Sequence, residues 1–379
     1  MNVEIVGIHP HNKGALLMLA AIREQVSLAF PQARFAVPFD WPTEGRLAEG
    51  LWCTIPRDFG PSNLSPLANR IPSRLRNAVG LMAPSDLQVI LDASGFGYGD
   101  YWGPRKLARR APHLRSILRK RKQTLILLPQ ALGPFESPGM AAAFRRVLDA
   151  ADLVYVRDAT SMKHIDALGP RSASVRSAPD FTNLLHPQLP ERLNGLRGAS
   201  MIVPNQRVAG NDPAKLDAYL SFLAKAASAL QRAGRRLSLL VHEGEGDLAI
   251  AAQLNARLGI PLPIINESSP LVTKAIIGAA ALTVSSRYHA LVSALAAGVP
   301  SLACGWSHKY GELMSAYGCP ELEVQLDDPS TWHDKITSLE RLTNDPAFGG
   351  VLETAARNER DRTEAMWDEV LGLLRSRYA

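Results

Sequence analysis

The fold class predicted for this 379-residue chain is α/β, built as two units that each carry a mostly parallel sheet. Three observations carry the prediction. Short apolar runs of strand length take turns with longer amphipathic runs, the pattern of strands linked by helical crossovers. The alternation breaks once, at a polar segment, and then restarts. The length also exceeds what a single hydrophobic core usually fills.

In chain order, the first half reads as strand Val3–Ile8, helix Ala15–Phe30, strand Leu87–Leu91, helix Leu114–Arg121, strand Leu125–Leu128, helix Met140–Ala151 and strand Leu153–Val156. His186–Gly198, rich in Pro, Asn and Gly, is expected to be the linker. Beyond it come strand Met201–Val203, helix Ala214–Ala233, strand Leu237–Val241, helix Asp247–Leu258 and the short strand Ile264–Ile265. Helix Leu271–Ala279, strand Ala281–Val284, helix Tyr288–Ala297 and strand Ser301–Ala303 complete the pattern. The expected organisation is therefore an N-terminal Rossmann-like domain over 1–190, a second over 199–330, and a charged helical tail over 331–379. Two such sheets are expected to face a cleft. Ligands of open parallel sheets sit outside the carboxyl ends of the strands, so loops following strands should hold the chemistry.

The composition, 46% hydrophobic and 21% charged, is that of an ordinary globular protein. Met1–Gly7 lacks a secretory signal pattern, and the most apolar stretches, Ala275–Val284 and Ala290–Cys304, are shorter than the ~20 residues of a spanning helix. Cys53, Cys304 and Cys319 are odd in number and lie in no Cys-x-x-Cys spacing. A reducing cytoplasm is the expected location. The net charge is +6, with cations gathered at Arg105–Arg110 and Arg119–Lys122 and more at Arg70, Arg74 and Arg76. That gathering reads either as a solvated face or as a peripheral contact with an anionic membrane. Without interleaved aromatics or a recognisable motif, nucleic acid is not an expected partner.

Five polar or ionisable residues, Ser285-Ser286-Arg287-Tyr288-His289, end one apolar run and open another. A helix N-terminus attracts an anion, and an arginine adds a fork for carboxylate or phosphate. Gly305-Trp306-Ser307-His308-Lys309-Tyr310 is a second cationic strand-to-helix junction, expected on the same sheet edge. Other polar strand-end loops are Asn12-Lys13-Gly14, Asp92–Asp100 with Tyr98, Pro129-Gln130, Pro204-Asn205-Gln206-Arg207 and His242–Asp247. Carboxylates of the last are read as helix caps rather than metal ligands. The Gly95–Gly99 run has the wrong spacing for a dinucleotide fingerprint. Zinc-protease, P-loop, nucleophile-elbow and Asp-x-Asp signatures are all missing, so neither a metal nor a cofactor is expected.

Taken together, Asn12-Lys-Gly-Ala, Asp92-Ala-Ser-Gly-Phe with Asp100, Leu128-Pro-Gln-Ala-Leu-Gly-Pro-Phe135, Val156-Arg-Asp, Ala178-Pro-Asp180, Pro204-Asn205, the stretch Ser285–Pro300 and Gly305–Tyr310 resemble the polysaccharide pyruvyl transferase family. The resemblance runs from residue 2 to about 318 in matching order and spacing. It implies a fold like the glycosyltransferases of type B, phosphoenolpyruvate as donor substrate, and a saccharide acceptor, lipid-linked in some members, that receives a cyclic pyruvate ketal. It also implies donor contacts from Arg287 and His289 and, on a shorter match, from Arg207.

Phosphoenolpyruvate carries a carboxylate beside a phosphate, so its site needs several cations. Ser286, Asn205, His308 and Lys309 join the donor side on this ground. Asn12, Lys13, Tyr98, Asp100 and Gln130, on loops of the N-terminal domain, are assigned to the acceptor. Ketal formation needs an acid at the enol methylene and a base at a sugar hydroxyl. His289, whose protonated form a bound dianion favours, is the expected acid, and the base is Asp100 or Asp180. Two rival readings share the architecture: a nucleotide-sugar-dependent glycosyltransferase and a non-catalytic glycan-binding relative.

Overall fold

The computed structural model describes residues 1–39, 41–55, 65–104, 107, 123–171, 173–305 and 307–378. The basic run Arg105–Lys122, apart from Leu107, and the helix expected over Leu114–Arg121 lie outside the described residues, as does Trp306.

The first sheet is parallel throughout and has eight described strands: β1 (Asn2–Val6), β2 (Arg34–Pro38), β3 (Trp52–Thr54), β4 (Leu81–Met82), β5 (Val89–Asp92), β6 (Thr124–Gln130), β7 (Leu153–Val156) and β8 (Ser174–Ser177). Their order is β4-β3-β2-β1-β5-β6-β7-β8. The chain winds outward from β1 in one direction and then starts again at β5, so the topological switch lies between those two strands. The second sheet, also parallel, contains β9 (Ser200–Val203), β10 (Leu237–Leu240), β11 (Ile264–Ile265), β12 (Leu282–Ser285), β13 (Ser301–Cys304) and β14 (Glu323–Val324). Its order, β11-β10-β9-β12-β13-β14, puts the switch between β9 and β12.

Burial on both faces explains why the central strands are continuously apolar. In β9, Ile202 packs with Leu223, Leu239 and Leu254 on one side, while Met201 and Val203 pack with Ile276, Ala290 and Ala294 on the other. Helix starts follow their sequence signals. Asn12 caps the helix Lys13–Ala29 through the Ala15 amide, and Asp212 caps Pro213–Arg232, where a proline also occupies the first turn.

The strands that periodicity missed are those with least apolar signal. β3, β4 and β14 are two or three residues long. β2 holds three buried residues between Arg34 and Pro38, and the edge strand β8 buries none of its four.

Two compact units result, Met1–Phe181 with Thr363–Ala379, and Thr182–Arg362. The polar segment read as a linker belongs to the second unit, because Leu189, Leu193 and Leu196 turn inward against the core that holds Met201 and Ile276. The helix Pro346–Tyr378 serves both units: Phe348, Leu352 and Ala356 pack in the second, and Trp367 meets Phe181 edge-on at 5.9 Å in the first. Among the described residues no helix is long and apolar enough to cross a membrane.

Candidate functional site

In the second unit the loops that follow β9, β10, β12 and β13 share the carboxyl edge of adjacent strands. They are tied together below the surface. Asn205 Nδ2 donates to the Ser286 carbonyl at 2.7 Å, and Tyr310 Oη donates to the same oxygen at 3.0 Å. Tyr219 Oη accepts from the Asn205 amide at 3.0 Å and donates to Ser286 Oγ at 2.8 Å. Burial raises the Tyr219 pKa, so it stays a phenol and keeps its proton to donate. Ser286 and Asn205, expected to touch the donor, are 0% and 3% exposed and hold loop to loop instead.

Arg287 is the centre of a second tie. It is 7% exposed, with Nε 2.8 Å from Asp247 Oδ2, Nη2 2.5 Å from Asp247 Oδ1, and Nη1 donating to Glu243 Oε2. The fork that the sequence reserves for an anionic donor is thus filled by a carboxylate of the protein. Asp247 does cap its helix, accepting from the Glu243 amide at 3.0 Å, and it also accepts from the Gln206 amide at 3.1 Å. One carboxylate therefore joins three loops. Burial, reinforced by the Arg207 cation, brings the Arg287 pKa down to about 9, which leaves it charged at neutral pH.

The remaining cations stand nearer to solvent. Arg207 has a side chain 53% exposed and lies 3.9 Å from Glu243 Oε1. His308 is exposed at the start of the helix Lys309–Ala316, and the half-buried Lys309 places Nζ 5.5 Å from the centres of the Tyr288 and Tyr310 rings. His289, half-buried in the first turn of the helix Tyr288–Ala296, stands edge-on to Tyr288 at 5.7 Å. A cleft of about 740 Å³ opens beside the β13 loop, with Val208, Lys215, Ser307, His308, Glu323 and Asp327 in its wall. Such a surface can hold a small polyanion and offer it an imidazole.

In the first unit, Asn12 spends its side chain on capping and Lys13 is the first helical residue. Tyr98 is 2% exposed and donates to Asp92 Oδ2, whose other oxygen accepts from the Ser94 amide at 3.0 Å. Asp100 accepts from the amides of Glu136 at 2.8 Å and Ser137 at 3.1 Å, and is partly exposed. Gly99, at φ +147°, allows these loops to touch: a Cβ there would lie 2.5 Å from the Gly133 carbonyl oxygen. Gln130, fully buried at the end of β6, has neither amide atom hydrogen-bonded. An orphaned amide of this kind costs about 1–3 kcal/mol. Asp180 pairs with Arg157 at 3.1 Å, both side chains 4% exposed. That seal makes it a structural ion pair and leaves Asp100 as the more accessible candidate base.

A family model for polysaccharide pyruvyl transferases matches residues 12–308. The chain belongs to that family. Among solved structures, this family member resembles Anabaena Alr3699/HepE in complex with UDP-glucose, with 14% identity, 99% of both chains covered and a TM-score of 0.58. It also resembles the S. aureus MnaA–UDP co-structure, with 10% identity, 99% and 96% coverage and a TM-score of 0.59. A third relative is the sucrose-phosphate synthase of Thermosynechococcus elongatus, with 12% identity, 99% and 97% coverage and a TM-score of 0.53. The likeness is one of fold, the two-domain α/β architecture of type B glycosyltransferases. No curated protein matches the chain in sequence.

For this pyruvyl transferase family member, sequence reading passed over the Arg287–Asp247–Glu243 knot and the Tyr219 hub. Asp247 lies 40 residues from Arg287, and no local spacing connects them. The signal available in the sequence was Asp247 itself, an acidic residue in the first turn of the helix Gly244–Arg257 whose later turns carry Ile250, Ala251 and Leu254.

Proposed function

We propose that the protein transfers the pyruvyl group of phosphoenolpyruvate to a sugar diol, forming a cyclic ketal on a polysaccharide or its precursor. The observation that supports this most is the set of cations and the imidazole, Arg207, His308, Lys309 and His289, on loops from three adjacent strands in a member of this family. A donor bearing a carboxylate and a phosphate matches that density of positive charge. Arg287 is then mainly a positioning residue. It reaches the donor by exchanging its single contact with Glu243, while the two-point hold of Asp247 stays.

In the proposed reaction His289 protonates the enol methylene, which becomes the methyl group. One sugar hydroxyl adds to the central carbon and gives its proton to the base, assigned to Asp100. Phosphate leaves with its bridging oxygen, and the second hydroxyl closes the ketal. Two hydroxyl protons are released, one replacing that drawn from His289 and the other leaving with phosphate, so the acceptor gains pyruvic acid less one water. The first-unit residues Asn12, Lys13, Tyr98 and Gln130 are proposed for the acceptor, Gln130 through its orphaned amide.

A second reading, transfer from a nucleotide sugar, draws on the cleft of about 740 Å³, which is roomier than phosphoenolpyruvate needs, and on the UDP-glucose held by the Anabaena relative. Ligand-induced stabilisation separates the readings. Phosphoenolpyruvate is expected to raise the melting temperature and UDP is not. A shift with UDP alone would favour the glycosyltransferase, and silence with both would favour a glycan-binding relative.

A further inference from the structure

The cleft beside the β13 loop is not uniformly cationic. The chain from β14 onward gives its wall Glu323, Gln325, Leu326 and Asp327, two carboxylates and an amide with no cation among them. Lys215 and His308 come from other elements, the helix Pro213–Arg232 and the loop after β13. A phosphate or carboxylate laid along the β14 wall would meet like charge, and a cationic ligand would meet Lys215. The mixture selects a neutral ligand that both donates and accepts hydrogen bonds.

Glu323 is the group that chooses among such ligands. It stands opposite Ala303 of β13 in the ladder, and its carboxylate lies over Gly311, where any Cβ would come 2.7 Å from Oε2. Burial raises its pKa, against the pull of Lys335, whose ammonium donates to the Glu321 carbonyl at 2.6 Å. Among the described residues the Glu323 carboxylate makes no hydrogen bond or ion pair. An ionised carboxylate only accepts, and its two oxygens can take two neighbouring donors at once. Adjacent hydroxyls on a sugar ring present such a pair. Ser307 supplies the complement, because its Oγ is buried in the cleft wall with no hydrogen-bond partner and a hydroxyl can both donate and accept. Val208, Ala214, Ala218 and Leu326 add apolar surface for the ring C–H groups. The volume of about 740 Å³ lies within the roughly 300–1,000 Å³ of small-molecule sites.

We propose that this cleft seats a sugar ring, with Glu323 accepting from a vicinal pair of its hydroxyls and Ser307 completing the hold. The inference rests on the reading of the protein as one that acts on a saccharide, and it is independent of phosphoenolpyruvate as donor. A vicinal diol is offered both by a pyranose of the saccharide and by the ribose of a nucleotide, and the test separates the two.

Saturation-transfer NMR on the full chain, with and without phosphoenolpyruvate, provides the test. The probes are the methyl pyranosides of glucose, galactose and mannose, together with uridine and 2′-deoxyuridine. At least one pyranoside, or uridine but not 2′-deoxyuridine, is expected to bind. A pyranoside response assigns the seat to the saccharide, and a response to uridine alone assigns it to ribose. Glu323→Ala should weaken binding at least tenfold and Ser307→Ala several-fold, while Glu323→Gln keeps part of it because an amide oxygen still accepts. Glu353→Gln, an exposed carboxylate elsewhere in the unit, should change nothing. Phosphoenolpyruvate should raise the melting temperature of Glu323→Ala as it does that of the wild type, so loss of that shift in both proteins counts against the donor and not against the sugar seat. No binding by any probe, equal binding of uridine and 2′-deoxyuridine without a pyranoside, or full binding by a folded Glu323→Ala would overturn the proposal.

Discussion

Arg287 and Asp247 illustrate how burial changes what a residue is for. Both lie at or below a tenth exposed, and each is the other's main counter-charge. Removing one partner of such a pair strands the other and costs about 3–5 kcal/mol. Arg287→Met is therefore expected to lose that much stability in urea unfolding, and Asp247→Asn a comparable amount, with the double variant recovering part of the sum. Additive losses would show that the two do not act as a pair. Arg287→Lys is expected to lose stability as well, since a point charge cannot reproduce the two-point contact. His289 stands elsewhere, half-buried in the first turn of the helix Tyr288–Ala296, and is the proposed acid. His289→Ala is expected to keep the melting temperature within a degree or two while kcat falls about 10²–10⁴-fold, the usual worth of a general acid. Retained turnover at wild-type rates would remove His289 from the chemistry.

Among the elements, helix termini at the strand-end edge carry stability and position the strand-end loops together. Asp212 accepts from the amides of Ala214 at 2.9 Å and Lys215 at 3.3 Å, fixing the start of the helix that also supplies Lys215 to the cleft wall. Asp212→Ala is expected to cost about 1 kcal/mol, and Asp212→Ser to restore most of it. Equal unfolding midpoints for all three proteins would contradict that role. The knot at Asp247 does the same work for three loops at once, since a carboxylate with two oxygens can accept from an amide on each side and still pair with a guanidinium.

Across the whole molecule, the net charge of +6 is distributed unevenly along the sequence, with the densest run at Arg105–Lys122 outside the described residues. Arg76 is not part of any external basic face, because it is 8% exposed and pairs with Asp86 at 2.9 Å. Cations near an anionic bilayer gain about 1 kcal/mol each and lose it as salt screens them. The protein is expected to float with anionic liposomes at low salt, to detach at high salt, and to ignore neutral liposomes. Equal flotation with neutral lipid, or none with anionic lipid at low salt, would leave the run as a solvated face.

Periodicity alone determined the class of fold and the main strands, because a strand buried on both faces, such as β9 or β12, has no choice but to be apolar along its length. Local order in the chain likewise marked the strand-end loops, since their polar residues interrupt apolar runs, and so it brought Asn205, Arg207, Ser286, Arg287, His289, His308 and Lys309 to one edge. What it did not determine was which of these face solvent. That depended on contacts across 40 and 81 residues, Asp247 with Arg287 and Asn205 with Ser286, which bury these side chains and tie the loops to one another. Edge strands such as β8 and the two-residue β4 and β14 also needed the tertiary structure, because their hydrogen bonds come from a neighbouring strand while their side chains carry little apolar signal. Hydrophobic pattern is a property of each segment by itself; pairing of buried charges and orphaned amides is a property of segments brought together, and only the folded chain has it.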